Sequence, residues 1–360
     1  MIADAVVFGG GPAGAAVAIA LASLGRSVVL LERHNVYAGA GEVLSPEIRN
    51  SLQRLGVWQD FLASQPKAAY GIWSAWGSDR PVARDSIANP YGPAWCVDRR
   101  QFDRLLLAAA ERAGVRVVNG FEKLEVRHVD HGWCINNRLS GNEALSIEAR
   151  FAVDATGRTA ALARVAGMRR RNADCLVALI ATLTPPHTPA ESDDVLLIES
   201  VPMGWWYSTA LPEGDLVAAF LTDSDLVRQA SCSPSEMWSS ALRSASLTAS
   251  RAEGYECRSF KVRDARTGAL ERAGYRDWVA VGDAASTIDP LSGTGVAKAL
   301  HSSFIAAEAA DGALAGSAAP LESYAARSQA EFESAFRVGS SYYAQEQRWP
   351  ESPFWKRRRI

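Results

Sequence analysis

Residues Ala5–Arg33 read AVVFGGGPAGAAVAIALASLGRSVVLLER, and they decide how the rest of the chain is read. The apolar run Ala5–Phe8 has the character of a buried parallel strand. It enters Gly9-Gly10-Gly11-Pro12-Ala13-Gly14, a G-x-G-x-x-G, then a helix of small residues over Ala15–Leu24 that Gly25 stops. Ser27–Leu31 is a second apolar strand, followed by Glu32 and Arg33. Strand, glycine turn, helix, strand and acidic residue together form a βαβ unit at dinucleotide-binding spacing. Gly9 permits the tight turn, Gly11 lets backbone approach a pyrophosphate, and Gly14 lets helix and strand pack closely. The unpaired N–H groups and dipole at the helix N-terminus, beginning at Pro12 and Ala13, favour phosphate charge. Glu32 lies 18 residues past Gly14, where a carboxylate accepts hydrogen bonds from a ribose hydroxyl. The same charge repels a 2′-phosphate, so FAD or NAD is expected here rather than NADP.

At 360 residues the chain can bury one large or two ordinary domains, and its net charge of −2 gives no global field to recruit nucleic acid. The basic tail Lys356–Arg359 reads as a solvated terminus. Five scattered cysteines without a C-x-x-C argue against a zinc site or a disulfide framework, and no metal is expected. Among five histidines, His128 and His131 share a three-residue spacing and read as a surface turn. The first strand begins at once, without a basic leader, and no apolar run is long enough for a transmembrane segment, so a cytoplasmic location is expected.

Going outward from the opening unit, Gly39-Ala40-Gly41-Glu42-Val43-Leu44-Ser45-Pro46 is a turn into a helix over Pro46–Leu55. An amphipathic helix follows at Phe102–Ala113. Lys123–Val129, Trp133–Asn136 and Leu145–Phe151 form a meander with a turn at Ser140-Gly141-Asn142. From about Met168 to Lys261 strands replace the βαβ rhythm: Leu176–Leu183, Val195–Ser200, Gly204–Leu211 and Leu216–Thr222, with one helix at Pro234–Ala245. Trp278–Val281 then returns to the nucleotide fold, and Leu291–Ala315 and Leu321–Gln347 supply a loop and two long helices. The expected division is 1–70, 95–167 and 265–318 for a discontinuous nucleotide domain, 71–94 and 168–264 for a substrate domain, and 319–360 for a helical C-terminus.

Three separated elements carry a family resemblance: the opening glycines with Glu32; Asp154-Ala155-Thr156-Gly157-Arg158; and Gly282-Asp283-Ala284-Ala285 followed by Asp289-Pro290-Leu291-Ser292-Gly293-Thr294-Gly295. Together they resemble the FAD-dependent monooxygenases of p-hydroxybenzoate hydroxylase-like fold, a group that includes flavin-dependent halogenases and geranylgeranyl reductases. The resemblance implies an α/β fold: a Rossmann-like FAD-binding domain with an inserted, mainly β substrate domain. It implies Asp154 and Gly282 at the cofactor, Asp283 on the ribityl hydroxyls, and Pro290 against the flavin ring. The N–H groups of Gly293, Thr294 and Gly295 would point at the flavin edge where negative charge accumulates on reduction. Arg99, in R-x-x-F-x-x-x-L, would lie on the pyrophosphate and ribityl region; a solvated charge, or Arg100 in its place, is the competing assignment.

Gly41–Pro46, Asn89–Trp95, Gly204–Ser208 and Arg348–Trp355 narrow the resemblance to flavoproteins encoded beside quinoprotein oxidases. Those hydroxylate a tryptophan of a partner polypeptide, the precursor of a cysteine tryptophylquinone. NADH or NADPH would reduce FAD, and a flavin C4a-hydroperoxide would be attacked by an electron-rich ring. A small aromatic metabolite is the alternative substrate; halogenation and alkene reduction stand behind it. The halogenase pattern W-x-W-x-I-P is replaced here by Gly204-Trp205-Trp206-Tyr207-Ser208-Thr209-Ala210-Leu211-Pro212. The lysine that halogenases need could only be Lys67, whose Gln-Pro-Lys-Ala context does not match. Trp206 or Tyr207 is expected to wall an aromatic pocket, although both also fit a strand core. Glu42 is either a flavin-side acid/base or a helix N-terminal charge.

Overall fold

A computed structural model describes residues 1–33, 41–86, 89–139, 144–185 and 194–359. The turns expected at Gly39-Ala40 and Ser140-Gly141-Asn142 lie outside the described residues.

The opening unit forms as its sequence demands. Strand Ile2–Phe8 lies at the middle of an eight-stranded sheet, parallel to Val28–Glu32 on one side and to Ala144–Asp154 on the other. Trp278–Ala280 adds in parallel beyond Ala144–Asp154, and Arg116–Asn119 beyond Val28–Glu32. The helix Pro12–Ser23 is buried along nearly its whole length. That burial explains its composition: alanines let it lie against the equally alanine-rich helix Gly295–Leu314, and Ser303 Oγ donates to Ala13 O across the contact at 2.9 Å.

A seven-stranded sheet forms the second layer, in the order Glu256–Asp264, Leu176–Thr184, Leu216–Asp223, Gly204–Ala210, Val195–Val201, Gly71–Ala75, Val82–Asp85. Gly71–Ala75 joins it in parallel with Val195–Val201, so the early Gly- and Trp-rich stretch belongs to this sheet. A small sheet of Glu42–Leu44, Ala94–Val97 and Lys67–Ala69 stands between the two large ones. The helix read at Pro234–Ala245 ends at Arg243, and a separate turn of helix follows at Ser246–Arg251. Ser233 caps the first of these helices through a reciprocal bond with Glu236.

The C-terminal helix, Ala319–Gln345, runs to the second sheet and delivers the tail onto it. That tail is not a solvated terminus. Arg358 Nη2 lies 2.6 Å from Asp223 Oδ1, and Arg357 reaches both Asp223 and Asp225. His128 likewise lies on a strand, with Nε2 2.7 Å from Asp277.

Candidate functional site

The glycines of the first turn divide by what surrounds them. A Cβ on Gly9, whose φ is +103°, would lie 2.4 Å from Ala155 O, and one on Gly14 would lie 1.8 Å from Gly9 O. These two are required by the turn itself. Gly11, by contrast, has nothing within 4 Å of its would-be Cβ: it faces open space at the start of the helix. Glu32 curls back so that its Oε2 accepts from Gly10 N at 2.5 Å, fixing the carboxylate beside the turn.

A second helix N-terminus converges on the same place. Gly282, at φ +57°, is so enclosed that a Cβ would meet Ala13 Cβ at 2.8 Å and Ala299 Cβ at 3.3 Å. The starts of Pro12–Ser23 and Gly295–Leu314 are thus brought together around the Gly282-Asp283 turn. Asp289 caps a short 3-10 turn, Pro290–Ser292, through Leu291 N at 2.8 Å. Gly293 follows in the left-handed region at φ +62°, Thr294 is the residue before the long helix, and the would-be Cβ positions of Gly293 and Gly295 are open. Two helix N-termini with open glycines form the cradle that an FAD pyrophosphate and flavin edge require, so the residues fit that group. Asp283 is partly exposed beside it, with Arg158 Nε 3.6 Å away; Pro290 is exposed, and so is Arg33, the residue after Glu32.

Asp154 does not take part as expected. It is fully buried: its Oδ1 accepts from Thr156 N and Oγ1, and its Oδ2 from Ala163 N at 2.8 Å. Its carboxylate organises the 154–163 turn from inside and has no free edge for a cofactor.

Arg99, rather than Arg100, turns inward. Asp98 caps the helix Arg99–Arg112 through Arg100 N, which leaves Arg100 exposed. Arg99 Nε lies 3.1 Å from Asp103 Oδ1, and its Nη1 bonds Glu42. Burial pushes the Asp103 carboxyl up to about 6, with Arg99 opposing and the charges of Glu42 and Glu32 adding to the rise. One guanidinium therefore bridges the glycine-turn side of the site to Glu42.

Glu42 is held near the second sheet. Gly41 is packed so closely against Leu211 that a Cβ would overlap its Cδ2. Cys96 Sγ lies 3.1 Å from Thr209 Oγ1 across the same gap. Tyr207 stands one row along: burial, with the charge of Glu42 behind it, raises its phenol well above the usual range. The register puts Tyr207 in line with Ala219 and Ile198, and Ala219 with Ile180, forming an apolar row in which Ile180, Ile198 and Tyr207 are partly exposed and Ala219 is buried. Trp205, two residues back on the same face, donates to Tyr343 Oη at 2.9 Å, and Tyr343 donates to Asp289 Oδ2 at 2.8 Å. Asp289 is pushed up to about 6 by burial. A hydrogen-bonded line thus joins the sheet, the C-terminal helix and the turn at Pro290. Asp289 stood in the quoted motif without a role, and no spacing pointed to Tyr343, which is 54 residues away.

Trp206 does not wall the cleft. Strand alternation turns it to the other face, where it stacks on Phe220 at 5.0 Å and meets Trp238 edge-on at 5.4 Å beneath the helix Pro234–Arg243. It is core, sealed from the cleft. Lys67 lies on the small sheet opposite Cys96, with Nζ 3.1 Å from Asp194, and its charge reaches the Cys96 thiol. Among the described residues, Cys175, Asp223 and Asp225 cluster closely, but their carboxylates are bound by Arg357 and Arg358.

Two helix termini meeting at an open glycine cradle, faced by a second sheet, define a flavoprotein. The chain belongs to the FAD binding domain family, whose model matches residues 3–337. It is similar to LodB of Marinomonas mediterranea, assigned as an FAD-dependent oxidoreductase, with 29% identity over 99% of this chain and 96% of that one. Among solved structures, the FAD-dependent chondrochloren halogenase CndH of a myxobacterium shares the fold, with a TM-score of 0.90 at 24% identity over 100% of this chain and 86% of that one. The peptidyl tryptophan dihydroxylase QhpG, essential for tryptophylquinone cofactor biogenesis, has a TM-score of 0.80 at 26% identity over 99% and 79%. No helix among the described residues is long and apolar enough to cross a membrane.

Proposed function

We propose that this chain is an FAD-dependent monooxygenase that hydroxylates an electron-rich aromatic ring, a tryptophan side chain of a partner protein, during maturation of a tryptophylquinone cofactor. The observation that carries this reading is the similarity to QhpG along 99% of the chain. NADH or NADPH is the proposed reductant, and a quinoprotein oxidase or dehydrogenase precursor the proposed partner. Bound and reduced, FAD would supply the activation of dioxygen. The chain's own part is binding, orientation and exclusion of water. Gly11 and the 293–295 turn receive the cofactor, Arg99 and Glu32 flank its phosphate and ribose end, and the Ile180–Ala219–Tyr207–Ile198 row receives the indole. Glu42, paired with Arg99, is the proposed acceptor of the proton that the ring loses on hydroxylation.

Halogenation is the second reading, favoured by CndH and by the placement of Lys67 at the gap between the sheets. One experiment separates the two. The holoprotein is incubated with NADH or NADPH (or an added flavin reductase), oxygen, chloride and bromide, and either a tryptophan-containing precursor of a quinoprotein or free aromatic compounds. Mass analysis showing one or two added oxygens on the precursor's tryptophan supports the proposal. A chlorine or bromine isotope pattern establishes halogenation, and oxygen added only to free aromatics moves the substrate to a small metabolite.

A further inference from the structure

The segment Asp283–Thr287 leads from the Gly282 turn to Pro290, and its backbone is held by two cations from outside. Arg170 donates from Nη1 to Asp283 O at 2.9 Å and to Ala284 O at 3.3 Å; its Nη2 reaches Gly268 O at 3.2 Å and Thr287 Oγ1 at 3.0 Å. Lys298, in the first turns of the helix Gly295–Leu314, bonds Ser286 O and lies 2.9 Å from Ser286 Oγ. Three carbonyls of a five-residue ribbon are therefore clasped by positive charge.

This arrangement is unusual in what it spends. Carbonyls of a turn can be satisfied by neutral donors or water at less cost than by partly buried cations. Burial has lowered the Lys298 ammonium to about 8, so the protein bears a penalty to keep it there. The charged groups facing it are Asp283 and Glu331, which favour its cation, and Arg170 and Arg158, which oppose it. Three cations accordingly surround Asp283, beside the two helix N-termini.

We propose that Lys298 and Arg170 are positioning residues for the flavin: they fix the ribbon that carries Asp283 and the 289–295 turn, and they add positive charge on the side where the reduced ring is anionic. The proposal rests on the FAD reading of the cradle. Charge held in place before the electrons arrive stabilises the reduced form without reorganisation.

The test uses the full chain loaded with FAD, reading the dissociation constant by flavin fluorescence, the midpoint potential by dye-coupled reduction, and folding by circular dichroism. Lys298→Met is expected to weaken FAD at least tenfold. It should also lower the preference for reduced over oxidised flavin about tenfold, a fall of about 30 mV for a two-electron couple. Lys298→Arg should restore most of both. Lys298→Gln keeps a donor for Ser286 without the charge, so it should hold FAD better than Lys298→Met yet show the same lowered potential. Arg170→Lys, which loses the forked reach, should weaken FAD without a comparable fall in potential. If Lys298→Met does not fold, Lys298→Gln and Arg170→Lys decide the matter. Folded variants with wild-type affinity and potential overturn the proposal while leaving the FAD reading intact. A wild-type chain that takes up no FAD overturns both.

Discussion

Gly11 and Gly14 look interchangeable in a glycine motif, yet they do opposite work. Gly14 is forbidden a side chain by Gly9 O, 1.8 Å from its would-be Cβ, whereas Gly11 borders open space. Gly14→Ala should therefore destabilise the chain by several kcal/mol, about the scale of other large steric insertions, and lose FAD because the turn is lost. Gly11→Ala should melt like wild type and lose FAD alone. Thermal melts with flavin occupancy measured in parallel check the pair. The two buried carboxyls give a second prediction at this scale. Asp103 and Asp289 are both pushed up from 3.8 to about 6, chiefly by burial. A folded pKa above the unfolded one means stability that is full below the unfolded value and lost as pH rises through the folded one. Asp289→Asn should thus gain stability relative to wild type between about pH 3 and pH 7, by up to about 3 kcal/mol for a shift of two units. Denaturant titrations at both pH values measure this; a difference that does not change with pH refutes it.

At the scale of elements, the C-terminal helix and its tail act as a strap across the second sheet. Glu346 is fully buried and accepts from Gly77 N, Ser200 Oγ and Arg348, and Arg348 also bonds Ser200 Oγ. These bonds, with Arg348 the foremost partner, hold the Glu346 carboxyl down to about 2 against burial. The sign is opposite to that of Asp289: this stability is present above the unfolded value near 4.5 and is lost as pH falls toward 2. Glu346→Gln leaves Arg348 half-paired and should cost about 3–5 kcal/mol, with protease cutting first near the tail. Equal melting and an unchanged cleavage pattern would show that the strap is held otherwise. Beyond the strap, Trp76, Trp205, Tyr343 and Trp355 meet with ring centroids 5.3–6.1 Å apart. Four of the eleven tryptophans of the sequence, Trp76, Trp205, Trp349 and Trp355, pack in this strap.

For the whole molecule, the two faces of the second sheet separate stability from function. Trp206 is sealed under the helix Pro234–Arg243, with no partner among the described residues for its Nε1. Trp206→Ala should cost about 3–5 kcal/mol whether or not cofactor is bound. Tyr207→Phe, on the face toward Glu42, should leave the melting temperature within a degree or two, on the order expected for a conservative change, and alter turnover of the aromatic substrate. Stability and turnover measured on both variants test the assignment; a large stability loss in Tyr207→Phe would place that residue in the core as well.

Local rules were enough for the opening βαβ unit, the open glycines and the Asp-Pro turn, because a dinucleotide cradle is built from contiguous backbone whose steric demands fall on a few nearby residues. They also carried most strand and helix limits, since apolar period and turn residues act over a few positions. Tertiary structure decided the rest. Which of two adjacent aromatics faces the cleft depends on strand register, and a step of one residue reverses it. Whether Asp154 or Asp283 presents its carboxylate depends on which backbone N–H groups arrive from elsewhere in the fold. Arg99 with Glu42, Tyr343 with Asp289, and Lys298 with Ser286 are meetings made by packing between distant or differently oriented elements. No sequence period records them, because the forces that bring them together act between elements rather than along the chain.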